Sequence, residues 1–196
     1  MSKIAIDIVL LPDEWISKLC KDLNRNLSKK IDFNNTWKIP HISLFMWIIE
    51  ESQLEKVQNI LTNIAKKYSL FTGTWIFSEK IFVVTWENIN YFELEKDNNI
   101  KNLFLDIYKE IKPILTYDNL SKDMFYKPEE VGEQSFVYIK WFKNKTIDEY
   151  SSHITLGIWK LTWDLPNMIH FNIPKLAIYQ LWNCCTCENK LFEINL

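Results

Sequence analysis

Two four-residue segments of this chain, His41-Ile42-Ser43-Leu44 and His153-Ile154-Thr155-Leu156, repeat one pattern: histidine, apolar, hydroxyl, apolar. Alternation with period two is the mark of a strand with one face in a core. On such a strand the histidine and the hydroxyl share a face and lie about 7 Å apart, two steps of roughly 3.3 Å. The isoleucine and leucine point the other way. More than half the chain separates the copies, so only the tertiary fold can unite them. United, they furnish one pocket with two imidazoles and two hydroxyls. A single H-x-[ST] on a strand is ordinarily a surface or satisfied core group. The repeat of Ile, a small hydroxyl and Leu in the same order sets this pair apart, and it takes two of the chain's three histidines.

The elements around the pair alternate between the two periods. Ile4–Leu10 reads as a strand. Pro12-Asp13-Glu14 opens a helix, since proline suits its first turn and acids suit its positive end. Trp15, Ile16, Leu19, Leu23 and Leu27 recur at helical spacing. Pro40 holds Ile39 extended before the first histidine strand, which runs on to Ile49. Glu51–Tyr68 and Ile100–Ile114 read as amphipathic helices. Phe71–Phe77 and Ile81–Trp86 read as strands joined by a hairpin at Ser78-Glu79-Lys80. Ser135–Trp141, His153–Trp159, Ile173–Leu181 and Leu191–Leu196 complete the strands. Tyr117–Gln134, broken by Pro128 and Gly132, is long enough for a functional loop.

The two motifs, the opening Ile4–Leu10 strand with its helix, the Ile81–Trp86 strand and the closing Phe171–Leu181 strand together resemble the two-histidine (2H) phosphoesterase superfamily. That group includes 2′-5′ RNA ligase-like proteins and cyclic nucleotide phosphodiesterases. The likeness covers nearly the whole chain, although only the histidine motifs are diagnostic and 116–134 matches nothing in it. It implies an α+β fold over residues 1–196, a single bilobal domain. Two pseudo-symmetric lobes, each an antiparallel sheet with flanking helices, would enclose a central cleft. It implies His41 and His153 as the catalytic pair and Ser43 and Thr155 as binders of the substrate phosphate.

The chemistry suits those residue types. Displacement at phosphorus removes a proton from the attacking oxygen and delivers one to the leaving oxygen. Imidazole, with an unperturbed pKa near 6.5, does either near neutral pH. The hydroxyls would hold non-bridging oxygens and centre the phosphorus between the rings. His153 is taken as base and His41 as acid, and the rate should follow a bell-shaped pH profile. No metal and no cofactor is required. The Cys184-Cys185-Thr186-Cys187 run lacks zinc-knuckle spacing, and a fourth ligand would have to be Cys20 or a histidine.

Composition narrows the substrate. The net charge is −2 and the pI about 6.0, without the basic footprint of a duplex binder. A small phosphorylated nucleotide or the end of a short oligonucleotide fits better, and the resemblance implies the candidate classes: a 2′,3′-cyclic phosphate, a 2′-5′ oligoadenylate or a cyclic oligonucleotide. Aromatics make up 15%, with nine Trp, enough both for a core and for stacking surfaces. Trp47 and Trp159 have the strand parity of their histidines. With Tyr150, and Tyr126 of a 117–134 lid, they are the candidates for base stacking. Lys127 and Lys160 are candidate phosphate partners, although solvated lysine is the commoner role. Asp7, a charge within an apolar strand, either faces the cleft or lies at a rim. His170 reads as surface. Four reduced cysteines, no leader-like start and no apolar run of about 18 residues suggest a cytoplasmic monomer away from membranes. A non-catalytic module capturing phosphorylated nucleotides or RNA ends in the same cleft is the alternative. Its cleft would have been free to lose an imidazole, and both are present.

Overall fold

The computed structural model describes residues 2–25, 27, 32–34, 38–68, 71–82, 87–94, 98–144, 152–158 and 168–196. Among the described residues eight strands form two four-stranded antiparallel sheets. The first has the order β2-β1-β7-β8, from β1 (Lys3–Leu11), β2 (Ile42–Glu50), β7 (Lys175–Leu181) and β8 (Cys187–Asn195). The second has the order β5-β4-β3-β6, from β3 (Phe71–Phe82), β4 (Glu87–Leu94), β5 (His153–Ile158) and β6 (Met168–Ile173). Four α-helices among the described residues accompany them: α1 (Glu14–Asn24), α2 (Leu54–Ala65), α3 (Asn98–Ile111) and α4 (Glu133–Asn144). The fold is the expected α+β class. Both histidine strands, β2 and β5, are edge strands of their own sheets, and they approach each other within 8 Å Cα to Cα.

One core serves both sheets. Ile4, Ile6, Ile8 and Leu10 alternate onto one face of β1. They pack with Ile16, Cys20 and Leu23 of α1, Val57 and Leu61 of α2, Leu103 and Ile107 of α3, and Ile154 and Leu156 of β5. The apolar partners of the two histidine motifs therefore lie in the same core, which fixes both motifs against one body.

Helix α1 straps the sheets together. Asp13 caps it, accepting from the Ile16 N–H at 3.0 Å and from the Asn172 N–H of β6 at 3.0 Å. At its other end buried Asn24 donates to the Leu156 carbonyl at 2.7 Å and accepts from the Phe33 N–H at 2.9 Å.

Three sequence expectations change. Residues 135–141 form helix rather than strand. Their β-branched and aromatic residues favour a strand by propensity, but the buried positions are Ser135 and Ile139, four apart on one helix face, and that burial wins. No turn occurs at Ser78-Glu79-Lys80, because β3 runs unbroken through it and pairs with β4 from Trp75 to Phe82. The 117–134 segment is sewn onto the first sheet instead of hanging as a loop. Met124 and Phe125 are buried with Ala5, Met46, Ile48 and Leu181, and the Tyr126 N–H donates to the Leu181 carbonyl at 2.9 Å.

Candidate active site

The first sheet buries Ile6 and Ile8 on one face and presents Ala5, Asp7 and Val9 on the other. Helix α4 and the 117–134 segment cover the Ala5 end of that second face. At the Val9 end, Ala177, Tyr179 and Cys187 form a smaller cluster with Leu11 and Ile39 packed against it. His41, Ser43 and Asp7 sit where the two regions meet.

Local sequence orients His41. Pro40 restricts Ile39 to extended backbone, and the Ile39 carbonyl lies 2.8 Å from His41 Nδ1. A carbonyl only accepts, so Nδ1 carries the hydrogen and Nε2 of the neutral ring keeps its lone pair. Nε2 lies 3.6 Å from Cys187 Sγ and 3.8 Å from Asp7 Oδ2, and the His41 side chain is 15% exposed.

Asp7 is fully buried on an inner strand. Its Oδ2 accepts from Ser43 Oγ at 2.6 Å and lies 3.8 Å from Cys187 Sγ. Its Oδ1 has no hydrogen-bond partner among the described residues. Burial pushes the Asp7 carboxyl well above the usual range, against weaker opposing pulls from Ser43 and Cys187. Burial likewise lowers His41 to about 4; the Ile39 carbonyl opposes this and the charge of His153 adds to it. Charged, Asp7 and His41 would be an ion pair at this separation. Burial instead favours the neutral form of each, so the contact is one between uncharged groups. The Cys187 thiol is raised by burial, by Asp7 and by Cys185.

On the second sheet His153 opposes Glu93, and Thr155 opposes Tyr91. The His153 ring meets Tyr91 edge-on, with centroids 5.4 Å apart and planes at 62°. The side chains of His153 and Thr155 are both half-buried.

Both motifs end in the same irregularity. In the β1–β2 ladder Val9 pairs with Ser43 and Ile8 with Phe45, leaving Leu44 as an extra residue. In the β4–β5 ladder Tyr91 pairs with Thr155 and Asn90 with Gly157, leaving Leu156 extra. Each strand therefore bulges at the fourth position of its motif, just after the hydroxyl. A bulge shifts side-chain parity by one.

That shift corrects the expectation for Trp47. Beyond Leu44 its parity is that of Ile42, and the ring is 2% exposed, stacked on Phe45 with centroids 4.0 Å apart. Trp47 is core and offers no surface to a base. Tyr126 is held at Leu181, four residues along β7 from Ala177, the residue level with Val9 and Ser43. That is about 13 Å down the strand. Tyr150, Trp159 and Lys160 lie outside the described residues. Lys127 pairs with Glu188 at 2.9 Å, and His170 is exposed on β6. The sequence leaves Asp7 either at the cleft or at a rim and gives Cys187 no role at the site; the structure brings both against His41. Asp7 carried a signal, a lone charge inside an apolar strand, whereas Cys187 carried none.

No protein-family model matches the sequence, and no curated protein matches it. Solved structures do match. TT0787 of Thermus thermophilus superposes with a TM-score of 0.59 at 12% identity, covering 98% of each chain. A structure described as a phosphoesterase superposes at 0.56 with 9% identity, over 100% of this chain and 99% of the other. Escherichia coli LigT complexed with ATP superposes at 0.55 with 9% identity and the same coverage. The chain shares the fold of these solved structures.

Proposed function

We propose that this protein is a phosphodiesterase that cleaves a nucleotide or short oligonucleotide with His41 and His153 as its acid–base pair. The substrate classes are a 2′,3′-cyclic phosphate, a 2′-5′ oligoadenylate or a cyclic oligonucleotide. The observation that carries the reading is the placement of the two motifs. They lie on neighbouring edge strands of the two sheets, each bulged at the same motif position, and close enough for the charge of His153 to act on His41. The fold of a phosphoesterase and of a LigT that has been crystallised with ATP and with NADP+ supports a nucleotide as ligand.

The surroundings of His41 favour the reverse of the roles expected from sequence. Its Nε2 lone pair is fixed by the Ile39 hydrogen bond and burial keeps the ring neutral, so His41 acts as base. It takes the proton from a ribose hydroxyl or a water as that oxygen attacks phosphorus. His153, protonated, returns a proton to the leaving oxygen. Thr155 donates to a non-bridging oxygen. Ser43 does so when Asp7 holds its own proton and donates it to Ser43 Oγ, freeing the serine hydrogen for the phosphate. The pair needs no metal for these steps.

The test is product analysis by chromatography and mass spectrometry. The panel holds 2′,3′-cyclic mononucleotides, 2′-5′ and 3′-5′ oligoadenylates and cyclic di- and trinucleotides, with excess chelator. Turnover of one class, lost in both His41→Ala and His153→Ala, is the expected result. Saturable binding of a panel member without turnover would replace this reading with that of a capture module.

A further inference from the structure

The residues around His41 make a set that acid–base chemistry leaves unused. We propose that Asp7, His41 and Cys187 form a binding site for one divalent metal ion, zinc by preference, on the floor of the candidate active site. The three donor atoms come from β1, from the residue preceding β2 and from the first residue of β8. Their separations are 3.6 Å for Nε2 to Sγ, 3.8 Å for Nε2 to Oδ2 and 3.8 Å for Sγ to Oδ2. A tetrahedral zinc with Zn–S near 2.3 Å and Zn–N and Zn–O of about 2.0–2.2 Å needs donors about 3.3–3.6 Å apart. The triangle is thus within a few tenths of an ångström of the face of a coordination tetrahedron.

Three further features fit a metal. The outer shell is built: His41 Nδ1 donates to the Ile39 carbonyl and Asp7 accepts from Ser43, the supports that orient ligating imidazole and carboxylate. Asp7 Oδ1 is buried without a hydrogen-bond partner among the described residues, and a cation or its bound water would satisfy it. Binding would also expel the thiol proton and any carboxyl proton to solvent. Thiolate, carboxylate and neutral imidazole around Zn²⁺ then leave no net charge in a buried place. The partly exposed His41 edge is the way in and leaves the fourth position to water.

The cysteine run contributes one ligand only. Cys184 is exposed and its Sγ meets its neighbour Asn183 at 3.8 Å. Cys185 Sγ donates to the Ser135 carbonyl at 3.5 Å. The histidine that a zinc site would need is therefore His41, supplied through the fold and not through local spacing. A metal on Nε2 would occupy the lone pair assigned to base catalysis, so the ion would hold a phosphodiesterase off. The site itself does not depend on that activity.

The test uses the full chain, reduced and stripped of metal, titrated with Co²⁺. One equivalent should bind with a thiolate-to-cobalt charge-transfer band and tetrahedral visible bands, all displaced by Zn²⁺. Cys187→Ser should abolish the charge-transfer band, while Cys184→Ser keeps it. His41→Gln, at the exposed edge, should weaken binding at least about tenfold with the circular dichroism unchanged. Absence of the band in the folded wild-type protein, or its survival in Cys187→Ser, would overturn the proposal. Should Cys187→Ser fail to fold, unchanged affinity in His41→Gln overturns it equally. The readout is optical and needs no substrate, so a protein without turnover can still bear the site out.

Discussion

Ser43 Oγ donates to Asp7 Oδ2 at 2.6 Å, joining the motif hydroxyl to a fully buried carboxyl. That carboxyl is raised by burial, which gives a pH dependence of known sign. A raised folded pKa contributes stability that is complete below the unfolded value, near 3.9. It is lost as pH rises through the folded value. Asp7→Asn keeps an acceptor for Ser43 and removes the titration. The variant should therefore gain on wild type progressively from about pH 4 upward. Urea denaturation across that range measures it, and a difference that stays flat or shrinks with pH would contradict the burial account.

The depressed His41 should be visible in kinetics. With chelator present, kcat/KM on the cleaved substrate should rise as pH passes through about 4, where Nε2 loses its proton. An unperturbed imidazole would place that limb near 6.5. The rate should fall again at higher pH as His153 loses the proton it must deliver. His41→Ala and His153→Ala should each cost about 10²–10⁴-fold. The double variant should cost little more, because the two act as one unit. A lower limb near 6.5 would return the role of acid to His41.

Trp47 separates a core role from a substrate role. Its ring is stacked on Phe45, which in turn stacks on Phe104 of α3 with centroids 4.1 Å apart. Trp47→Ala should lose about 3–5 kcal/mol of stability. The milder Trp47→Phe should lower the melting temperature and leave KM unchanged. A KM that rose at constant stability would put the ring back at the substrate.

What could be read from the chain was what depends on local period. The apolar faces of β1 and α2 follow from spacing, and so does the placing of Ile42 and Ile154 in the core beneath their histidines. On α1 the spacing places Ile16 and Leu23 correctly but not Trp15, which is 56% exposed. Trp47 was misjudged because one extra residue, Leu44, flips the parity, and no count of alternating residues reveals a bulge. Helix α4 was misjudged because Phe136, Val137 and Tyr138 favour a strand locally, while burial of Ser135 and Ile139 is decided by what lies beneath them. The contact of Asp7 with Cys187 spans 180 residues. It depends on β1 and β8 each pairing with β7, and nothing near either residue announces it.

The second motif is positioned from a distance, and this can be measured. Asn24 is 3% exposed. It binds the Leu156 carbonyl and the Phe33 N–H, so the end of α1 grips β5 at its bulge. Next along the strand Gly157 has φ +149°, and a Cβ there would lie 3.0 Å from the Leu27 side chain and 3.1 Å from Asn24 Nδ2. Asn24→Ala strands two buried backbone groups and should cost about 2–6 kcal/mol, from roughly 1–3 each. Gly157→Ala adds a side chain where neither the backbone conformation nor the space admits one. Both should reduce kcat by more than the loss of folded protein accounts for, because β5 carries His153 and Thr155. Leu61→Ala, a comparable core truncation on α2, should cost about 2–5 kcal/mol and leave kcat per folded molecule intact. Equal kcat per folded molecule in all three variants would mean that α1 supports the fold without aiming the second histidine.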